Sequence, residues 1–450
     1  MTTRDEELAW LADVARRPWL ARQLAYLRRG GPGYLQSALT LGGGTASACL
    51  LAGAAFRFEL LWVAPLGMLL GGVVFAAIAH QTLSTRQRPF DAMREHAGPV
   101  FAWGWAIGTV LSSLVWHFAQ YSLASAVLVD LFDLAGMSVP RWSMGALVLA
   151  WSVVTALSFE RTGSVRRGVE RLMRWMVWTV VALFGLVAVR IGSADPLPIA
   201  RGFVPSIPAA SHGVDALPVI LSGLATAVGV NMTFLYPHSL RERDWGREHR
   251  EYAIADIFFG MVLPFIVVTS LLVIVSGATL ADGFSGATIS PVEAASTLGG
   301  LLGPVWGRVA FDLGLMGMLL TTVTMHMVCS GLACAQMFAL ERGSRGHRLA
   351  TLLPTPGVLG SVFWSSLSVW LVVPTSLIAG ALLPLAYLGF LKLQLSDAYL
   401  GADRPRGTRG ALWVAGMALA TLVVTVFAGL YAFERVPDFL RQLGLLQGAP

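Results

Sequence analysis

The sequence predicts an all-α polytopic membrane protein, and three observations carry that prediction. Hydrophobic residues make up 55% of the 450, charged residues only 13%, and the mean hydropathy is +0.66. Apolar stretches recur from Gly31 to Ala432, each near the length of about 20 residues that a bilayer-spanning helix needs. Arginines gather in alternate links between those stretches. A soluble domain carries about 25% charged residues, so most of this surface must face something other than water.

Taken in order, residues 1–30 form a charged segment with Trp10, Trp19 and Tyr26 set among arginines, expected to be an amphipathic helix on the cytoplasmic membrane surface. Spans are expected at 31–54, 59–80, 98–133, 142–160, 169–191, 214–239, 252–279, 305–340, 356–374, 376–398 and 409–433. Pro374 divides the ninth from the tenth. The third and eighth are long enough to require tilt or extension past the bilayer. The segments group as a first repeat over 31–191, an extracellular loop over 192–213, a second repeat over 214–398, a loop and eleventh helix over 399–433, and an extracellular tail over 434–450.

Charge orients these spans. Arg16, Arg17, Arg28 and Arg29 precede the first, and Arg86, Arg88 and Arg94 follow the second. Further clusters follow the fourth, sixth, eighth and tenth, whereas the opposite links hold little beyond Arg57, Arg141 and Arg201. Basic residues mark cytoplasmic loops, so the expected topology has the N-terminus inside and the C-terminus outside a bacterial-type inner membrane. That distribution also accounts for the net charge of +6 without a nucleic-acid partner. Cys49, Cys329 and Cys334 sit in apolar text and read as buried hydrophobes. The first residues lack the apolar core of a cleavable signal peptide. No Gly-x-x-x-x-Gly-Lys loop and no hydrolytic motif in a supporting setting occurs. Neither an enzyme nor a cofactor is expected.

Spans one and six each carry an interruption. The first has Gly42-Gly43-Gly44-Thr45 at mid-depth, and the sixth has Gly229-Val230-Asn231 followed by Met232-Thr233. Each glycine costs about 1 kcal/mol relative to alanine in a helix, and freed backbone groups at membrane depth need protein or a wet cavity around them. Breaks at matching positions of two five-helix halves point to a central substrate site. The alternative is that the glycines let two continuous helices pack closely.

Gly31-Pro32-Gly33-Tyr34-Leu35, opening the first span, is the first of several segments by which the chain resembles the NRAMP family of proton-coupled divalent-metal transporters. The likeness is carried further by Arg201-Gly202-Phe203-Val204-Pro205 and by Tyr236-Pro237-His238-Ser239. It continues through Leu313-Gly314-Leu315 and Leu382-Leu383-Pro384-Leu385. The resemblance implies the LeuT-type fold, with two inverted five-helix repeats, broken helices 1 and 6, and an appended eleventh helix.

The motifs depart from the family where the chemistry should lie. The family's first helix breaks at Asp-Pro-Gly-Asn, whose Asp and Asn bind the metal; those positions here are Gly42, Gly43, Gly44 and Thr45. The sixth-helix Met-Pro-His motif, anchored on His238-Ser239, places its Met on Asn231 and its His on Thr233. A one-residue deletion would bring Met232 to the Met position, and anchoring on Pro237-His238 would bring Tyr236. The family's third-helix proton path carries an Asp and a Glu three residues on; here His117 and Gln120 stand there. Stripping water from a divalent ion requires charged oxygen ligands or several N/S ligands, and neither interruption offers a carboxylate.

Ionisable groups within a membrane span are costly to bury and so are candidates for function. His117 could change charge near neutral pH or remain a neutral core imidazole, and Gln120 and Tyr121 follow within one turn. His238 is a candidate for a gate or a proton role. His326 lies between Met325 and Met327, whose side chains leave different faces of the helix, so packing is expected there. Asp256 and Asp312 are expected as caps or interfacial groups, and His80-Gln81 as interfacial. Three functions follow: secondary transport of a small neutral or zwitterionic solute, with proton coupling open; transport of a partly hydrated divalent cation; or a sensor or scaffold that keeps the fold without transport.

Overall fold

The structure is a computed structural model that describes residues 4–159, 164–191, 196–285, 305–367 and 373–442. Helices α1 (Arg4–Ala15) and α2 (Trp19–Arg29) lead to a broken first span, α3 (Gly33–Thr40) and α4 (Gly43–Phe56), bent by 61° at the break. There follow α5 (Val63–Thr85), α6 (Pro99–Leu134), α7 (Arg141–Phe159) and α8 (Ser164–Ile191). The second half opens on another broken span, α9 (Ala216–Ala227) and α10 (Val230–Glu242), then α11 (Arg250–Ile257) running through a π-helical turn (Phe258–Val262) into α12 (Leu263–Thr279). After it come α13 (Trp306–Met337), α14 (Arg345–Leu352), α15 (Gly360–Leu367), α16 (Val373–Leu395) and α17 (Gly407–Gln442).

Seven described helices are long and apolar enough to cross a membrane, and the bent α3–α4 pair makes an eighth. The packing places them in the two-repeat bundle expected for this fold class. α13 is the central column, with 89% of its most apolar window buried, against α6 and α8; α17, with 17%, lies at the periphery on α16 and α5. The first span packs its α4 half on α12. Among the described residues the β structure is one isolated bridge, Ser211 to Val214.

Three boundaries differ from expectation. α17 runs to Gln442, past the expected end of the eleventh span at 433; hydropathy marks where the bilayer ends, not where the backbone ladder stops. The ninth span is not one helix from 356, because its described part opens in a 3₁₀ turn (Thr355–Leu359) before α15. Its end, 368–372, lies outside the described residues. Among the described residues α16 runs from Val373, so Pro374 lies within its described helix.

The N-terminal segment folds back on the chain as two helices. Tyr26 stacks on Tyr252 with centroids 5.0 Å apart, Trp10 meets Tyr252 edge-on at 5.5 Å, and Tyr252 meets Trp245 at 4.6 Å. The Arg29 guanidinium lies 4.2 Å from the centre of the Trp10 ring. The opposite face of α2 leaves Trp19, Leu20 and Leu24 exposed. The start of α3 is fixed by the same region: Gly33 N–H donates to Asp256 at 2.7 Å, and the Tyr252 hydroxyl donates to the Gly30 carbonyl. Asp256 therefore caps a helix other than its own. The π-helical turn frees backbone carbonyls, and Ser37 donates to the one on Gly260 at 2.7 Å.

Candidate functional site

Both interruptions are unwound. Leu41 (φ −77°, ψ 81°) and extended Gly42 (φ −132°, ψ −175°) separate α3 from α4. Val228 (φ −135°, ψ 120°) and Gly229 (φ −93°, ψ 155°) separate α9 from α10. A cavity of about 260 Å³ lies between them, walled by residues of α5, α6, α13, α16 and α17 as well as the four half-helices. Its walls are mainly apolar, with Trp116, Tyr387 and Phe427 as the aromatic members. Among the described residues no Asp, Glu, Lys or Arg lines it.

Unwinding exposes carbonyls at the ends of α3 and α9, and each set finds a partner inside the protein. The Thr322 hydroxyl of α13 lies 2.8 Å from the Met318 carbonyl of its own helix and 3.0 and 3.2 Å from the Leu41 and Ala38 carbonyls, so its one hydrogen is shared among them. The Thr45 hydroxyl donates to the Thr40 carbonyl at 2.6 Å. The Thr40 hydroxyl reaches across to the carbonyls of Thr226 and Ala227 at 2.9 and 3.0 Å. One α3 residue thus closes the end of α9.

On the other side of each break a helix begins. Gly43 N–H, in the first turn of α4, donates to Gln120 Oε1 at 3.0 Å. Gly229 N–H is held by the Met232 sulfur at 3.4 Å. No side-chain oxygen of the preceding residue caps α4 or α10, so the positive ends of two helix dipoles border the cavity.

The structure sorts the candidate residues. Gly42, Gly44, Thr45, Gln120, Gly229, Asn231 and Met232 line the cavity. Gly43 does not: a Cβ there would sit 2.4 Å from Leu123 Cδ1 and 3.1 Å from Leu319 Cδ2, inside the helix packing. Thr233 also points away, since its hydroxyl accepts from the Trp105 indole N–H at 2.9 Å and donates to the Val230 carbonyl at 2.6 Å. Register explains it, because Thr233 is two residues beyond Asn231 and occupies another face of α10. His117 is fully buried behind the wall, with Nδ1 3.0 Å from the Ser113 carbonyl. His238 lies farther along α10, with Nε2 3.1 Å from Glu242 and Nδ1 3.3 Å from the Gln336 amide nitrogen.

His326 stands apart from the expectation of packing. Met325 and Met327 are fully buried in the core, whereas His326 lines the cavity and its Nδ1 lies 3.1 Å from Asn231 Nδ2. The helical turn offered the signal: Thr322 and His326 are four residues apart and share one face of α13. Asp312 is fully buried one turn from Arg308, which itself forms a bidentate pair with Asp130.

Comparisons with known proteins agree with this fold. Metal transporter NRAT1 of Oryza sativa subsp. japonica is 24% identical over 275 residues, covering 60% of this chain and 47% of the relative. Metal transporter Nramp6 of Arabidopsis thaliana is 23% identical over 278 residues, 59% of this chain and 48% of the relative. The matches therefore span about half the length of these curated relatives. The manganese transporter of Eremococcus coleocola superposes with a TM-score of 0.74 at 16% identity, covering 96% of this chain and 94% of that one. MhsT, solved with L-phenylalanine, gives 0.57 at 17% identity, covering 88% and 98%. The sequence pattern of the natural resistance-associated macrophage protein-like family matches residues 33–432. With two broken helices facing one cavity and a family match across nearly its whole length, the chain belongs to the Nramp family.

Proposed function

We propose that this protein is a secondary-active transporter of a small neutral or zwitterionic organic solute, and that it does not carry manganese or iron with high affinity. The observation behind the proposal is the state of the two breaks. The carbonyls that unwinding frees are already engaged by Thr40, Thr45 and Thr322, and no carboxylate borders the cavity among the described residues. A dehydrated divalent ion would have to displace those hydroxyls while gaining only neutral ligands, which does not offset its hydration. The positive ends of the α4 and α10 dipoles at the cavity suit the carboxylate end of a zwitterion. Asn231 Oδ1, buried and without a hydrogen-bond partner, suits an ammonium donor. MhsT, which holds L-phenylalanine, shares the scaffold. The arginine alternation orients the chain with its N-terminus inside a bacterial-type inner membrane.

A second reading is transport of a partly hydrated divalent cation, favoured by the relatives named as metal transporters. Calorimetry with magnesium, calcium and manganese beside a solute panel in proteoliposomes separates the two. Saturable binding of an amino-acid-like or neutral solute, with no saturable heat from the metals, is expected. A saturable metal isotherm with no solute bound would overturn the proposal.

A further inference from the structure

We propose that His326 and His117 form a single-proton site that reports its charge state to helix α10 through Asn231. This rests on the chain being a transporter but not on which solute it carries. The hydrogen-bond geometry sets the tautomers. His117 Nδ1 faces the Ser113 carbonyl, which can only accept, so the hydrogen is on Nδ1 and Nε2 holds a lone pair. That Nε2 is buried and has no partner. His326 Nδ1 faces the Asn231 amide nitrogen, which can only donate, so the His326 hydrogen is on Nε2. Asn231 Nδ2 also donates to the Ser113 hydroxyl at 2.9 Å, leaving Asn231 Oδ1 without a partner. Both rings are neutral in this arrangement, and their centroids are 5.8 Å apart at an interplanar angle of 81°.

A proton entering from the cavity meets His326 first, because His326 lines the cavity while His117 is fully buried. Behind His117 the 3₁₀ turn closes the way: a Cβ on Gly357 would lie 2.4 Å from His117 Cβ. Adding the proton to His326 Nδ1 forms one N–H bond and breaks none in the protein. The new N–H then opposes the Asn231 NH₂. The amide turns over, Oδ1 accepts from His326, and the Ser113 hydroxyl rotates to donate to the same oxygen. The NH₂ takes the buried place that Oδ1 held, so one unpartnered end of the amide replaces the other and two hydrogen bonds reverse direction. Asn231 is the second residue of α10, directly after the unwound Val228-Gly229 turn, so the reversal acts on the break itself.

The pair holds one proton because two imidazolium ions at this separation repel in a medium of low dielectric constant. The titratable groups facing the rings are each other, Tyr121 with its ring 5.6 Å from His117, and Cys329, whose thiol lies 3.6 Å from the Asn231 carbonyl. Ser113 and the Gly357 turn contribute no charge. Among the described residues no carboxylate, lysine or arginine forms an ion pair with either ring.

The test needs no known substrate. Gly229 has open space where a Cβ would go, so Gly229→Cys places a thiol at the break, while the native cysteines are all buried. In liposomes, labelling by a charged thiol reagent is followed from about pH 8 to about pH 5, the range in which imidazole changes charge. Rates are normalised at each pH to unfolded protein. The expected result is a change of about threefold or more across that range in the parent, abolished by His326→Gln and shifted in midpoint by His117→Gln. Asn231→Ala is expected to flatten the profile even where His326→Gln does not fold. His80→Gln, at the far end of α5, keeps the parent profile. A flat parent profile, or one that survives both His326→Gln and Asn231→Ala, overturns the proposal. Failure to find a solute would overturn the solute reading and leave this one standing.

Discussion

The two breaks occupy equivalent places in the two halves of the molecule and are built on opposite principles. At the α3–α4 break the backbone is crowded and held by neighbouring side chains. Thr322, Thr45 and Gln120 supply partners, and a Cβ on Gly42 would lie 2.8 Å from the Thr322 hydroxyl. At the α9–α10 break the backbone is loosely held. A Cβ on Gly229 would meet nothing within 4 Å, the Gly229 N–H has only a thioether acceptor, and Asn231 keeps an unused oxygen. One break is a fixed hub and the other is free to rearrange. Symmetry of fold does not impose symmetry of chemistry.

Substitutions at the two breaks test that contrast. Gly43→Ile drives a branched side chain into Leu123 and Leu319. It is expected to destabilise the protein by about 3 kcal/mol, the upper range for overpacking, with a large loss of melting temperature in detergent. Full stability would show that the hub yields. Thr322→Val removes the hydroxyl serving the Leu41 and Ala38 carbonyls and is expected to cost about 1–3 kcal/mol, measured in the same thermal scan. A loss as small as that of a surface substitution would mean water takes over the role.

A smaller effect belongs to the charged end of the bundle. Burial pushes the Asp403 carboxyl up, but the hydrogen bond from Arg250 and the nearby charges of Arg250 and Arg247 outweigh it and hold the group below the usual carboxylate range. A depressed value in the folded state stabilises above the unfolded value of about 3.9 and is lost as pH falls through the folded one. Because the pairs are near the surface, the contribution is at most about 1 kcal/mol. Acid melting curves of Asp403→Asn should be flatter than those of the parent, and superimposable curves would remove the pair from the stability of this end. The smallest effect is expected from Gly229→Ala. Its φ of −93° suits any residue and its surroundings are open, so stability should stay within about 0.5 kcal/mol. A loss comparable to Gly43→Ile would erase the distinction between the breaks.

Much of this architecture was legible before any coordinates. Hydropathy gives most of the spans, and the glycine triplet with Gly229 gives both unwound turns, because the costs they report are local. Orientation about a helix axis is not local. Gly43 and Thr233 looked equivalent to their neighbours but face other helices, and His326 was hidden between two methionines that pack on other sides of α13. Hydroxyl capping was invisible because Thr40 bonds to carbonyls 186 and 187 residues away in sequence. The docking of α1 and α2 was also hidden, since Tyr26 and Tyr252 are joined only by folding.

The grip of Tyr252 and Asp256 on Gly30 and Gly33 makes α3 a short stiff rod of 8 residues with its outer end clamped and its inner end at the pocket. At 1.5 Å per residue that lever is about 12 Å long. A fluorophore placed ahead of the clamp would therefore sense rearrangement around a bound solute mechanically, without touching it.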